Sequence, residues 1–168
     1  MRYSDKWKNW IALIDAKTCP ECKIRNGKIY DISEIVSPSP PLHPRCRCRI
    51  LKMKSMFAGE ATNNGVNGAD WYIKYMGRLP EYYITKKEAK KRGWIMSRAN
   101  LSNVAPGCMV YGIYYNDDGK LPSASQRIWY EADINYTEGY RNMQRILFSS
   151  DGLIFVTYDH YETFIEVR

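Results

Sequence analysis

The chain has 168 residues, with 25 lysines and arginines against 18 acidic side chains, a net charge of +7. That length fits one domain with an appendage or two small domains, and the positive balance favours a polyanionic partner, a nucleic acid or a membrane surface. No stretch reaches the roughly 18 apolar residues of a membrane span, and the charged start Met1–Trp10 has no apolar signal-peptide core.

In chain order, the first expected element is a short helix capped by Ser4 or Asp5, because Trp7, Trp10, Ile11 and Ile14 recur at i, i+3, i+4 and i+7. A cysteine turn, Cys19-Pro20-Glu21-Cys22, follows, and Asn26-Gly27 reads as a hairpin turn between Cys22 and Tyr30. Ser37-Pro38-Ser39-Pro40-Pro41 is a stiff loop leading into His43-Pro44-Arg45-Cys46-Arg47-Cys48.

Four of the five cysteines therefore lie within thirty residues, which speaks for metal binding before a disulfide framework. Cys19, Cys22, His43, Cys46 and Cys48 compete for the four places of a tetrahedral structural zinc. Disulfides and free thiols are the alternatives. A staple is needed because about fifty residues bury too little apolar area to offset chain entropy. Cys108 stands alone and reads as a small buried residue.

Trp10-Ile11-Ala12-Leu13-Ile14-Asp15, Thr18-Cys19-Pro20-Glu21-Cys22, Asn26-Gly27-Lys28 and Pro40-Pro41-Leu42-His43-Pro44-Arg45-Cys46-Arg47-Cys48 resemble the tail of phage minor head (MuF-type) proteins. The resemblance covers residues 5–52 and lacks that family's larger helical body. It implies a delivery or sorting role, with phage head or delivery machinery as a partner. The expected division is a Cys/His-rich module over 1–52, a Gly- and Asn-rich linker over 53–68, and a second domain over 69–168.

Past that boundary, residues 69–77 read as a helix stopped by Gly77 and Pro80, and a second helix opens on the capping box Thr85-x-x-Glu88 and ends at Gly93. After Pro106-Gly107 the period changes to that of strands, over 108–115, 127–134, 144–149, 152–158 and 162–167, with Ser150-Asp151-Gly152 as a tight hairpin. Helices first and strands afterwards argue for α+β, with N-terminal helices packed on a C-terminal antiparallel meander.

Within those strands, Glu131 and His160 flank Arg141 and Arg145. One carboxylate, one imidazole and two guanidiniums suffice to cleave a phosphodiester that carries its own 2′-hydroxyl nucleophile, which means RNA. The plainer reading is a structural ion cluster of Glu131 and Asp133 with the two arginines. Lys86 sits at a helix start, where a cation is unfavourable beside the dipole, and so hints at an anionic ligand.

Leu79-Pro80-Glu81-Tyr82-Tyr83-Ile84-Thr85-Lys86-Lys87-Glu88-Ala89, Asn100-Leu101-Ser102-Asn103-Val104-Ala105-Pro106-Gly107, Glu131-Ala132-Asp133-Ile134-Asn135-Tyr136-Thr137, Gly139-Tyr140-Arg141-Asn142, Arg145-Ile146-Leu147-Phe148-Ser149-Ser150-Asp151 and Asp159-His160-Tyr161-Glu162-Thr163-Phe164 resemble barnase-type bacterial ribonucleases. The resemblance spans 69–168 and implies the microbial ribonuclease fold. It implies Glu131 as general base, His160 as general acid, and Lys86, Arg141 and Arg145 as phosphate ligands, with Asp133 fixing the arginines from behind. It also implies a 2′,3′-cyclic phosphate product, no catalytic metal, and an acidic barstar-like inhibitor.

Asn116, Asp118, Tyr161 and Arg127 are the substrate- and base-binding candidates. The family's guanine loop has an Asn-Arg-Glu-Gly stretch; here it is Asn116-Asp117-Asp118-Gly119, in a segment one residue shorter. Guanine preference is expected, with the charge inverted at Asp117. The combined expectation is a toxin effector acting outside its source cell or inside a target cell's cytoplasm. The rivals are an inactive RNA-binding or phage head-associated protein, and a zinc nuclease using the cysteine cluster.

Overall fold

The computed structural model describes residues 1–168. Nine strands form one mixed sheet: β1 (Arg2–Ile11), β2 (Ile29–Asp31), β3 (Arg49–Met56), β4 (Tyr83–Thr85), β5 (Met109–Tyr114), β6 (Trp129–Asp133), β7 (Arg145–Ser149), β8 (Ile154–Thr157) and β9 (Ile165–Val167). Their order is β2-β1-β3-β9-β8-β7-β6-β5-β4. The helices are short: α1 (Pro20–Arg25), α2 (Ala69–Met76), α3 (Lys86–Lys91) and α4 (Leu101–Val104). The class is α+β.

From β5 to β9 each strand pairs antiparallel with the next, as the expected meander has it. The wholly antiparallel sheet expected from sequence is corrected at both ends of this meander, where β4 runs parallel to β5 and β3 parallel to β9. Strand β4 is three residues long, too short to show alternation. Helix α2 ends on Gly77 in the left-handed region (φ 69°), and Thr85 Oγ1 accepts from Glu88 N at 3.0 Å to start α3.

The first element is a strand, not the expected helix. Trp7 and Trp10 are three residues apart, so a strand sends them to opposite faces. Trp7 enters a core with Ile29, Met53, Leu121, Trp129, Leu147, Phe155 and Phe164, while Trp10 enters another with Ala12, Cys22, Tyr30 and Cys48. Burial on both faces removes the period of two and leaves a spacing that imitates a helix. The capping signal has a real counterpart: Ser4 Oγ accepts from Trp7 N at 2.8 Å and Lys6 N at 3.1 Å, at the register shift between Tyr3 and Lys8. It closes a β-bulge.

Asn26-Gly27 likewise ends a helix instead of turning a hairpin. Cys19 caps α1, Pro20 opens it, and Asn26 N donates back to Lys23 O at 3.2 Å. The expected linker also differs. Residues 53–56 complete β3, with Met53 fully buried, and Asp70 ties down the loop beyond by accepting from Gly59 N (2.6 Å), Ala61 N (2.9 Å) and Thr62 Oγ1 (3.1 Å). Lys52 and Lys54 hid this strand, because they occupy its exposed face.

Two cores flank the meander. Ala69, Ala89, Trp94, Leu101 and Ala105 pack with Ala132, Ile134, Ile146 and Val156 on the helix side, where Cys108 is partly buried. The opposite face carries the core shared by Trp7, Ile29 and Met53 with Trp129, Leu147 and Phe155.

Candidate active site and cysteine–histidine cluster

Register puts the charged residues on one face. Glu131 lies opposite Leu147, Asp133 opposite Arg145, and Arg145 opposite Thr157. Residues directly paired across a sheet, and residues two apart along a strand, share a face. Glu131, Asp133, Arg145 and Thr157 therefore project from the side away from the helices.

Glu131 is nearly buried. Its Oε1 accepts from Lys86 Nζ at 2.9 Å, and its Oε2 accepts from the Tyr161 hydroxyl. Burial alone would push this carboxyl up. The Tyr161 hydroxyl, the Lys86 ammonium and the Arg145 charge together outweigh burial and hold it below the ordinary carboxylate range. Tyr161 moves the opposite way: burial, then its bond to Glu131, keeps the phenol protonated well above its usual value.

Asp133 is fully buried and holds both arginines. Arg141 Nε and Nη2 grip its two oxygens at 2.8 and 2.7 Å. Arg145 Nε lies 3.1 Å from Asp133 Oδ1, near enough for an ion pair but not aligned as a hydrogen bond. Arg145 Nη1 is anchored on the carbonyls of Asn142 and Gln144, both at 2.7 Å. Arg141 Nη1 and Arg145 Nη2 keep no protein acceptor and remain open to an anion. Burial works against the Arg141 charge, and the bidentate Asp133 contact more than restores it.

His160 belongs to the turn that leaves β8. It and Tyr161 both adopt left-handed backbone, φ 56° and 70°, which costs non-glycine residues roughly 1–3 kcal/mol each. The turn is held by many bonds. Tyr161 N donates to Thr157 Oγ1 (2.9 Å), Thr163 N and Oγ1 donate to the Asp159 carboxylate (2.9 and 2.6 Å), and His160 N donates to Met143 O (3.1 Å). His160 is exposed, shares a cleft of about 320 Å³ with Arg141, Arg145 and Trp94, and has its ring centroid 4.9 Å from that of Tyr161. Tyr161 thus bridges the imidazole and the Glu131 carboxylate.

The base-binding candidates fare differently. Tyr161 joins the central group and stacks on Tyr114 with centroids 5.4 Å apart. Asn116 braces its own loop: its Oδ1 accepts from Leu121 N at 3.0 Å, and its Nδ2 donates to Leu121 O at 2.7 Å and to Ser123 Oγ at 3.4 Å. Asp118 is exposed and accepts from Lys120 N at 3.1 Å. Arg127 is taken up by Asp151 and by Pro122 O, and it touches neither Glu131 nor His160. Sequence reasoning missed Tyr114 and Lys120, whose Nζ donates to Tyr161 O at 3.1 Å. The alternation of Gly112 and Tyr114 with the site face was a usable signal for the first. No local signal marks the second.

The five cysteine–histidine candidates gather into two overlapping groups, Cys19/Cys22/His43 and Cys22/Cys46/Cys48, either of which could hold a metal ion. Cys22 Sγ is 3.7 Å from Cys46 Sγ, and His43 Nε2 is 3.2 and 3.4 Å from the sulfurs of Cys19 and Cys22. Tetrahedral zinc with bonds of about 2.3 Å to sulfur and about 2.0 Å to nitrogen sets ligand-to-ligand edges of roughly 3.5–3.8 Å. His43 Nδ1 lies 2.9 Å from Pro44 O, and donating there leaves Nε2 free to ligate. Burial and its neighbouring thiols push Cys22 up, whereas the N–H groups of Cys48 and Leu42 bring Cys46 down to about 7. No disulfide joins these four cysteines in the structure.

A ribonuclease family model matches residues 69–168, well over half of the chain. The chain belongs to the barnase-type ribonucleases. It is 52% identical over 101 residues to a ribonuclease of Heyndrickxia coagulans, covering 60% of this chain and 92% of that relative. A ribonuclease of Bacillus intermedius matches at the same identity and length, over 62% of its own chain. A model described as Phage Mu protein F like protein matches residues 2–51. The ribonuclease thus carries a phage-like segment whose strands enter the same sheet.

Proposed function

We propose that this enzyme is a metal-independent endoribonuclease that cleaves single-stranded RNA by transesterification. Glu131 takes the proton of the 2′-hydroxyl, and the 2′-oxygen attacks phosphorus. The bond from phosphorus to the 5′-oxygen breaks as His160 delivers a proton to that oxygen. The products are a 2′,3′-cyclic phosphate and a free 5′-hydroxyl. Lys86 and the unpaired N–H groups of Arg141 and Arg145 bind the phosphate and the charge that builds on it. The observation that carries this reading is the Glu131 carboxylate, ionised between Lys86 and Tyr161 on the face that bears Arg145. Base, acid and cation are all supplied by side chains, so no step calls on a metal.

The finer assignments are of the same kind. The fold is that of the microbial ribonucleases, its helices on one face of the meander and its chemistry on the other. Guanine preference would reside in the 116–121 loop, with Asn116 shaping the loop and Asp118 accepting from the base edge. Zinc fits the N-terminal cluster, held by Cys19, Cys22 and His43 with Cys46 or Cys48, in a structural role. A toxin effector working outside its source cell or in a target cytoplasm, a phage-type delivery partner, and an acidic inhibitor filling the cleft around Lys86, Arg141, Arg145 and His160 complete the proposal.

Incubation with mixed RNA in the presence of a chelator tests the core of it. Fragments ending in cyclic phosphate are expected, and Glu131→Ala and His160→Ala should each lower the rate by about 10²–10⁴. Salt-sensitive RNA retention without cleavage would instead favour a binding module.

A further inference from the structure

The phage-like segment touches the nuclease at the two loops that border its chemistry. Gly27, just past α1, has φ 83°, and a Cβ placed on it would lie 2.1 Å from the carbonyl oxygen of Glu162. Glu162 is the second residue after His160, in the strained turn described above. Gly27 is itself fixed, its N–H donating to Trp10 O at 2.8 Å. Two residues on, Ile29 N donates to Lys120 O at 2.8 Å. Lys120 belongs to the 116–121 loop, and its Nζ reaches Tyr161 O. Ile29 and Trp7 also pack against Phe164 and Leu121, the apolar anchors of the same two loops.

We propose that Gly27 and Ile29 are positioning residues of the ribonuclease, Gly27 seating the His160 turn and Ile29 seating the 116–121 loop. This rests on the acid and base roles given above to His160 and Glu131. The need is physical: two consecutive left-handed residues relax unless their surroundings hold them, and a general acid displaced by about 1 Å can lose 10²-fold in rate. The matched region makes up 92% of the Heyndrickxia coagulans relative, which leaves no room there for a counterpart of residues 2–51. Relative to that protein, the seating is an addition carried by this chain.

The test uses the full chain. Gly27→Ala is expected to lower kcat by roughly 10²-fold while KM stays within about twofold. Gly77→Ala serves as control, because Gly77 has φ 69° with nothing within 4 Å of an added Cβ, and so meets the backbone strain without the collision. Ile29→Pro removes the N–H given to Lys120 and also trims the buried contact with Leu121 and Phe164, and should raise KM more than Gly27→Ala does. Equal kcat in Gly27→Ala and Gly77→Ala would overturn the proposal. If the unmodified chain cleaves no RNA, the functional reading fails instead, and amide NMR then decides the positioning. Gly27→Ala must shift Tyr161, Glu162 and Thr163 where Gly77→Ala does not, and unmoved signals would overturn it.

Discussion

Glu131 shows how a single residue's surroundings set its chemistry. A nearly buried carboxylate would ordinarily hold its proton, yet here a phenol and an ammonium stabilise the charged form more than burial opposes it. The acid limb of kcat/KM should therefore fall below the ordinary glutamate value of about 4.3. Tyr161→Phe removes a donor to the carboxylate, so the charged form loses stabilisation, the pKa rises, and the limb moves to higher pH. A pH profile of the variant checks this; an unmoved or lowered limb would contradict it. Asp133 is the second residue whose effect follows from burial. Replacing it by alanine leaves two guanidiniums without their shared counter-ion, a cost of about 3–5 kcal/mol. Thermal unfolding should show a Tm lower by about 10 °C. Both roles had local precursors in the sequence, the period-two spacing of Glu131 and Asp133 and the nearby arginines. Tyr161 as the bridge had none, because its reach depends on a backbone turn that no spacing encodes.

Among the elements, β7 and β8 were legible as two short apolar runs about the tight Ser150-Asp151-Gly152 turn, although both their faces are covered. β1 was not legible, since no turn of that kind marks it and its apolar spacing mimics a helix. Ser4 carries the difference. Its buried hydroxyl accepts two backbone N–H groups at the bulge, so Ser4→Ala should cost about 1–3 kcal/mol in urea unfolding, with kcat for RNA cleavage preserved. A variant as stable as the parent would mean that the bulge closes without it. The stretch after Lys52 was misread for a related reason. Alternating lysines and a following run of glycine and asparagine look like linker until Met53 is seen beneath Trp7 and Phe155 in one core.

At the scale of the molecule, the phage-like and nuclease segments are joined by more than sequence. β3 pairs with β9, Ala58 N donates to Arg168 O at 2.9 Å, and one apolar core draws residues from both. We therefore expect one calorimetric transition for the metal-loaded chain, where a bilobal layout would give two. Trp7→Ala should lower that transition as a whole, by about 3–5 kcal/mol. Two separated transitions, with only the lower one moved by Trp7→Ala, would show that the segments unfold independently. A fragment of residues 65–168 should still cleave RNA, at a lower Tm and with reduced kcat, because it loses the cover over Leu147, Phe155 and Phe164.

Local chemistry written in order along the chain marked the class, the Thr85 cap, the C-terminal strands and the gathering of the five cysteine–histidine candidates, and it named the residues proposed above as base, acid and cations. Each depends on neighbours a few residues away or on a motif read in one stretch. Tertiary structure alone decided that β1 is a strand, that the supposed linker enters the sheet, that Asn116 and Arg127 are tied up in their own loops, and that Gly27 lies against the His160 turn. Those outcomes turn on which faces are covered and which groups meet across more than a hundred residues, and one-dimensional spacing holds no record of such meetings.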